Sequence, residues 1–142
     1  MEKTALSDNE LDQVAGGAGN GGVIASGSFT SSTGTQLNIL VNWTVRSGGN
    51  GKKTLYVDVC STSYSLYSNG GGGVELTANG VYYASSAAAV NYGGNTLVIN
   101  RLASFTIPGV SGAVTLNAAW HFNGTYSGVS IGAIRASGIA YV

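Results

Sequence analysis

Between Leu37 and Arg46 the chain reads Leu-Asn-Ile-Leu-Val-Asn-Trp-Thr-Val-Arg, with an apolar residue at every odd position and mostly polar residues between them. A period of two puts alternate side chains on opposite faces of an extended strand, so this segment can bury one face and wet the other. A helix would scatter the same residues around its circumference. Leu55, Val57 and Val59 alternate with Tyr56, Asp58 and Cys60 in the same way, and Val114, Leu116, Ala118, Trp120 and Phe122 alternate with Thr115, Asn117, Ala119, His121 and Asn123. Further strands are expected near Val23 to Thr30, Val74 to Ala84, Thr96 to Ile107 and Tyr126 to Ala136. Ser47 to Gly51 and Ser68 to Gly73 read as loops. Seven or eight short strands at this spacing predict an all-β, antiparallel sandwich, immunoglobulin-like or jelly-roll-like in size and rhythm.

Two Asn-Gly pairs allow registers to be written down. Asn-Gly is the strongest signal for a two-residue hairpin turn, because both residues tolerate positive φ. A turn at Asn79-Gly80 pairs Leu76 with Tyr83 and Val74 with Ser85 on the inner face, leaving Glu75, Thr77 and Tyr82 outside. A turn at Asn123-Gly124 places Trp120 opposite Ser127, Ala118 opposite Val129, Leu116 opposite Ile131 and Val114 opposite Ala133. The outer face of that second hairpin then pairs His121 with Tyr126, Ala119 with Gly128, Asn117 with Ser130 and Thr115 with Gly132. Apart from the His121-Tyr126 end this outer face is flat, small and uncharged, and with Tyr82 it forms the candidate binding face: Asn117, His121, Tyr126, Gly128, Ser130 and Gly132 beside Tyr82. The segment Ala119 to Ile131 also loosely resembles β-sandwich modules of phage tail and tip proteins, which implies a sandwich used in binding or assembly.

The start of the chain is built differently. Ser7 followed three residues later by Glu10 is a capping-box pattern. At about 100° per residue, Leu6, Leu11 and Val14 fall within an arc of roughly 140° and make one apolar stripe. Gly16-Gly17 ends the helix and leaves a segment without side chains. Residues 1–17 resemble the double-glycine leader of bacteriocin precursors and related exported peptides. The resemblance implies that Leu6, Glu10, Leu11 and Val14 dock on the peptidase of a peptidase-containing ABC transporter. It further implies cleavage after Gly16-Gly17 and release of a secreted, extracellular product from a Gram-positive cell. Residues 1–17 are thus expected to be a leader peptide, 18–22 a glycine-rich linker, and 23–142 the sandwich domain.

Charge divides the chain at the same place. Residues 1–17 carry Glu2, Asp8, Glu10 and Asp12 against Lys3, a balance of −3, and the rest carries Arg46, Lys52, Lys53, Arg101 and Arg135 against Asp58 and Glu75, a balance of +3. The formal net charge of zero hides two oppositely charged parts. The basic residues are scattered rather than gathered in a stripe, so no nucleic-acid partner is expected. No segment approaches the roughly 18 apolar residues that span a bilayer, so no transmembrane segment is expected either. The single cysteine, Cys60, allows no internal disulfide and reads as a small apolar residue in a strand.

Catalysis is poorly supplied. Beyond residue 17 the acid and imidazole groups are Asp58, Glu75 and His121. These are too few for a four-ligand metal site, and no nucleophile-elbow pattern surrounds a serine. No catalytic residue, metal or cofactor is expected. The sequence therefore favours a non-catalytic extracellular binding or assembly protein whose partner is a cell-envelope ligand or another copy of itself. The leader's commonest association gives the alternative of a bacteriocin-like antibacterial protein. The glycine-rich start followed by a strand gives that of a self-assembling matrix or filament subunit.

Overall fold

The computed structural model describes residues 22–48, 51–64, 72–88 and 96–142. The expected leader helix, its docking residues and the Gly16-Gly17 cleavage site lie outside the described residues. Among the described residues eight strands follow in order: β1 (Val23–Thr30), β2 (Asn38–Ser47), β3 (Lys53–Ser63), β4 (Gly73–Ala78), β5 (Val81–Ser86), β6 (Val98–Val110), β7 (Ala113–Tyr126) and β8 (Val129–Tyr141). They form two four-stranded sheets, ordered β1-β2-β3-β6 and β5-β4-β7-β8, in which every neighbouring pair is antiparallel. The all-β expectation holds, and no described helix is long and apolar enough to cross a membrane.

The alternation read in the sequence is what makes two layers. Leu37, Ile39, Val41, Trp43 and Val45 are buried on one side of β2 and its approach, and Leu55, Val57 and Val59 on β3. From the other sheet, Val74 and Leu76 of β4 and Val114, Leu116, Ala118, Trp120 and Phe122 of β7 complete the core. Trp120 meets Phe122 edge to face at 5.2 Å. Tyr83 of β5 meets Phe105 of β6 at 6.4 Å and ties the sheets at one margin. At the other margin β8 lies against β1 and β2. There Gly27 and Gly138 leave room for the rings of Trp43 and Phe29, which occupy the space that a Cβ would fill. Cys60 is buried and forms no disulfide.

The Asn79-Gly80 turn is as expected. Both residues have positive φ, and the pairs Leu76 with Tyr83, Val74 with Ser85 and Thr77 with Tyr82 form. Asn79 does a second task that local pattern does not reveal. Its amide accepts from the backbone N–H of Thr115 at 2.8 Å and donates to the carbonyl of Ala113 at 3.3 Å, clamping the β4–β5 turn to the start of β7.

The second hairpin differs from its expected register. The turn falls at Ser127-Gly128, both with positive φ, and Asn123 with φ 49° sits in a bulge within β7. Trp120 therefore faces Ile134 rather than Ser127, Ala118 faces Ala136 rather than Val129, Leu116 faces Gly138 rather than Ile131, and Val114 faces Ala140 rather than Ala133. The reason is the inner face of β8. The observed register buries Ile134, Ala136 and Ala140 and leaves Arg135 exposed. The Asn123-Gly124 turn would bring the odd-numbered residues of this strand inward, with Ser127 opposite Trp120. A one-residue bulge exchanges the two faces of a strand, and burial of Ile134 outweighs the local preference of Asn-Gly for the turn.

Candidate functional site

The outer face of the β5-β4-β7-β8 sheet carries two registered rows of side chains. Tyr82, Thr77, Asn117 and Ser137 stand side by side across the four strands, and Ala84, Glu75, Ala119 and Arg135 form the adjacent row. At about 4.8 Å between strands, each row spans about 14 Å. The second row has a particular relief. The small Ala84 and Ala119 alternate with the long Glu75 and Arg135, so the sheet surface dips between an acid and a base. Ala119 is 4% exposed although it points outward, as expected for a methyl group overhung by long neighbours.

A polar wall closes one side. Phe29 packs on Gly138 and brings the end of β1 beside β8, and the chain continues through Ser31 and Ser32 over the edge of the sheet. Its own hydrogen bonds order this β1–β2 loop. Ser31 Oγ donates to Asn38 Oδ1 at 2.9 Å, the backbone N–H of Thr33 donates to the same oxygen at 2.9 Å, and Thr33 Oγ1 donates to the carbonyl of Leu37 at 2.8 Å. Sheet and loop together enclose an open cleft of about 610 Å³, whose aliphatic lining among the described residues comes from Ala118, Ala119 and Ala136.

Glu75 is the hub. Tyr82 Oη donates to its Oε2 at 2.9 Å, and His121 Nε2 lies 3.0 Å from its Oε1. The two groups are close without forming an aligned hydrogen bond. The contact with His121 and then the Tyr82 hydroxyl hold the Glu75 carboxyl below the usual carboxylate range. Burial opposes them, and Arg135 adds a weaker attraction. Donation to the carboxylate in turn pushes the Tyr82 phenol up. Among the described residues, no side-chain hydrogen bond or ion pair engages Thr30, Ser32, Thr77, Asn117, Arg135 or Ser137, all of which line the cleft. The cleft therefore offers free hydroxyl, amide and guanidinium groups around a carboxylate that is already oriented.

The expected binding face is brought together in part. Tyr82 and Asn117 line the cleft, and His121 stands beside it on Glu75. Tyr126, expected opposite His121 on the outside, is 5% exposed and pairs with Val129. Gly128 is in the turn. Ser130 pairs with Thr125, and Gly132 lies near the Asn123 amide, both beyond the bulge and away from Asn117. Arg135 and Ser137 take the places opposite Ala119 and Asn117 that the Asn-Gly register assigned to Gly128 and Ser130. Glu75 was legible as an outer-face residue of the first hairpin, but its neighbours on β7 depend on a pairing between strands forty residues apart.

His121 is hydrogen-bonded to no hydroxyl or thiol among the described residues. Asp58, on the outer face of the other sheet, accepts from Ser104 Oγ at 2.6 Å with no imidazole in that pair. Among the described residues no three His, Cys, Asp or Glu side chains gather as metal ligands would. Fold and site together define an antiparallel β-sandwich with a polar cleft on one outer face. Neither protein-family models, nor curated proteins, nor solved structures gave a match to the chain.

Proposed function

We propose that this chain is an exported precursor whose β-sandwich is a non-catalytic extracellular binding or assembly protein. The export reading rests on residues 1–17, where the apolar stripe of Leu6, Leu11 and Val14 ends in Gly16-Gly17. The binding reading rests on the cleft. Its walls are hydrogen-bonded into place before any ligand arrives, and its free polar groups converge on one open space. Preorganisation of this kind lowers the ordering cost of binding. A carboxylate with an imidazole can move a proton, but without a nucleophile on His121 the pair supports positioning better than group transfer.

A second reading, self-assembly, draws on the edge strand β1. Val23 and Ile24 are 45% and 51% exposed at the start of an edge that follows directly on Ala18 to Gly22. Cleavage after Gly17 would free that edge to pair with a neighbour. Sizing the protein before and after removal of residues 1–17 separates the two: a rise in mass supports assembly, and an unchanged monomer removes it. Exposing Gram-positive cells to the cleaved protein tests both against a bacteriocin-like action. Intact cells that retain the protein support binding. Membrane leakage and killing would replace it with the antibacterial reading.

A further inference from the structure

We infer that the cleft between the outer face of the β5-β4-β7-β8 sheet and the β1–β2 loop is a binding site for an uncharged glycan chain. This rests on the binding reading above and gives its ligand a chemical class. The cleft's donors and acceptors fit a polyhydroxylated ligand. Glu75 can only accept, Arg135 can only donate, and Asn117 with the Ser and Thr hydroxyls can do both. Such a mixture suits a ligand whose every hydroxyl is both donor and acceptor. Vicinal sugar hydroxyls match the two oxygens of a carboxylate, and a guanidinium can span two ring oxygens.

Charge points the same way. Glu75 and Arg135 stand in one row with Ala119 between them, so the cleft presents opposite charges and no net field to draw in a polyanion or a polycation. Shape does too. A peptide anchors through an apolar pocket or an open strand edge. This cleft lies on the face of paired strands and, among the described residues, has only alanine as aliphatic lining, so it offers neither. What it does offer is an open floor between the Glu75 and Arg135 side chains, with Tyr82 at its margin. Tyr82 is 59% exposed, and its bond to Glu75 fixes the direction of the ring. The C–H face of a pyranose can rest on such a ring while its hydroxyls reach Thr77, Asn117 and Ser137. The volume of about 610 Å³ lies within the roughly 300–1,000 Å³ of small-molecule sites, and its open form admits a chain rather than an enclosed monosaccharide.

The test is a titration of the isotope-labelled full-length protein with chitotetraose, cellotetraose, maltotetraose and mannotetraose, followed by amide chemical shifts. At least one should give saturable shifts at Thr77, Tyr82, Asn117 and Ser137. N117A and R135A, both at exposed positions, should weaken that ligand at least tenfold with tryptophan emission unchanged. T106A on the outer face of the other sheet should leave it as it was. Absence of site-specific shifts from every tetrasaccharide up to about 10 mM, a Kd weaker than millimolar, overturns the inference. Shifts that persist unchanged in N117A and R135A overturn it too. Sedimentation with Gram-positive cell envelopes before and after periodate oxidation separates this failure from a wider one. Retention that survives oxidation and N117A removes the glycan and keeps the binding reading, with a protein surface as the partner. No retention combined with no self-association removes both.

Discussion

Gly72, immediately before β4, gives the sharpest test of how the site is seated on the sandwich. It has φ +82°, and a Cβ built on it would collide with the backbone carbonyl oxygen of His121. Gly72→Ala therefore carries two costs. Left-handed backbone costs an L-residue about 1–2 kcal/mol, partly offset by about 0.4–1 kcal/mol from the stiffer unfolded chain. The collision adds an overpacking cost of about 1–3 kcal/mol, because main chain cannot rotate away as a side chain can. The expected loss is about 2–4 kcal/mol. Gly109 provides an internal control, with φ +68° and nothing within 4 Å of its would-be Cβ, so Gly109→Ala should lose only the conformational part, about 1 kcal/mol. Urea unfolding followed by the fluorescence of Trp43 and Trp120, both buried, reads the difference. With a slope of about 1–3 kcal/mol per molar urea, a 3 kcal/mol loss lowers the midpoint by about 1–3 M. Equal midpoints for the two variants would refute the close approach of Gly72 to His121. A marked loss in Gly109→Ala alone would refute the conformational reasoning.

The Glu75 carboxyl has its pKa lowered by His121 and Tyr82, so its stabilising contribution is complete above the unfolded carboxylate value and is lost as pH falls through the lower folded value. Thermal melts below about pH 4.3 should show wild type losing more stability than E75Q, whereas parallel curves would show that the contacts carry no linkage. The β7–β8 register predicts that oxidised N117C/S137C in a C60A background forms a disulfide, because these residues face each other across the pair. N117C/S130C should stay reduced, and the reverse result by mass spectrometry would restore the turn at Asn123-Gly124. Gly138→Val would place a Cβ 2.5 Å from the Phe29 ring, so it should cost about 1–3 kcal/mol by overpacking and loosen the β1–β2 loop wall. Undiminished stability with unchanged Phe29 signals would show that β1 does not rest on β8 there.

Alternation alone determined that this chain makes strands. It also settled which side of β2, β3 and β7 is buried, because a two-residue period leaves one apolar face and a sheet must cover it. The Asn79-Gly80 hairpin was legible down to its pairs, since a two-residue turn fixes register locally. From that register alone Glu75, Thr77 and Tyr82 could be placed outside. The same rule failed at Asn123-Gly124, where two candidate turns lie four residues apart and only the opposing core could choose between them. Burying Ile134 and Ala136 beneath the other sheet decided for Ser127-Gly128, and that choice put Arg135 and Ser137 into the site and Tyr126 into the interior. Pairing of β4 with β7 and the packing of Phe29 on Gly138 join residues distant in sequence. They follow from how two sheets cover each other, which no local pattern encodes. Strands and their faces were thus written in the sequence, while the cleft was made by tertiary packing.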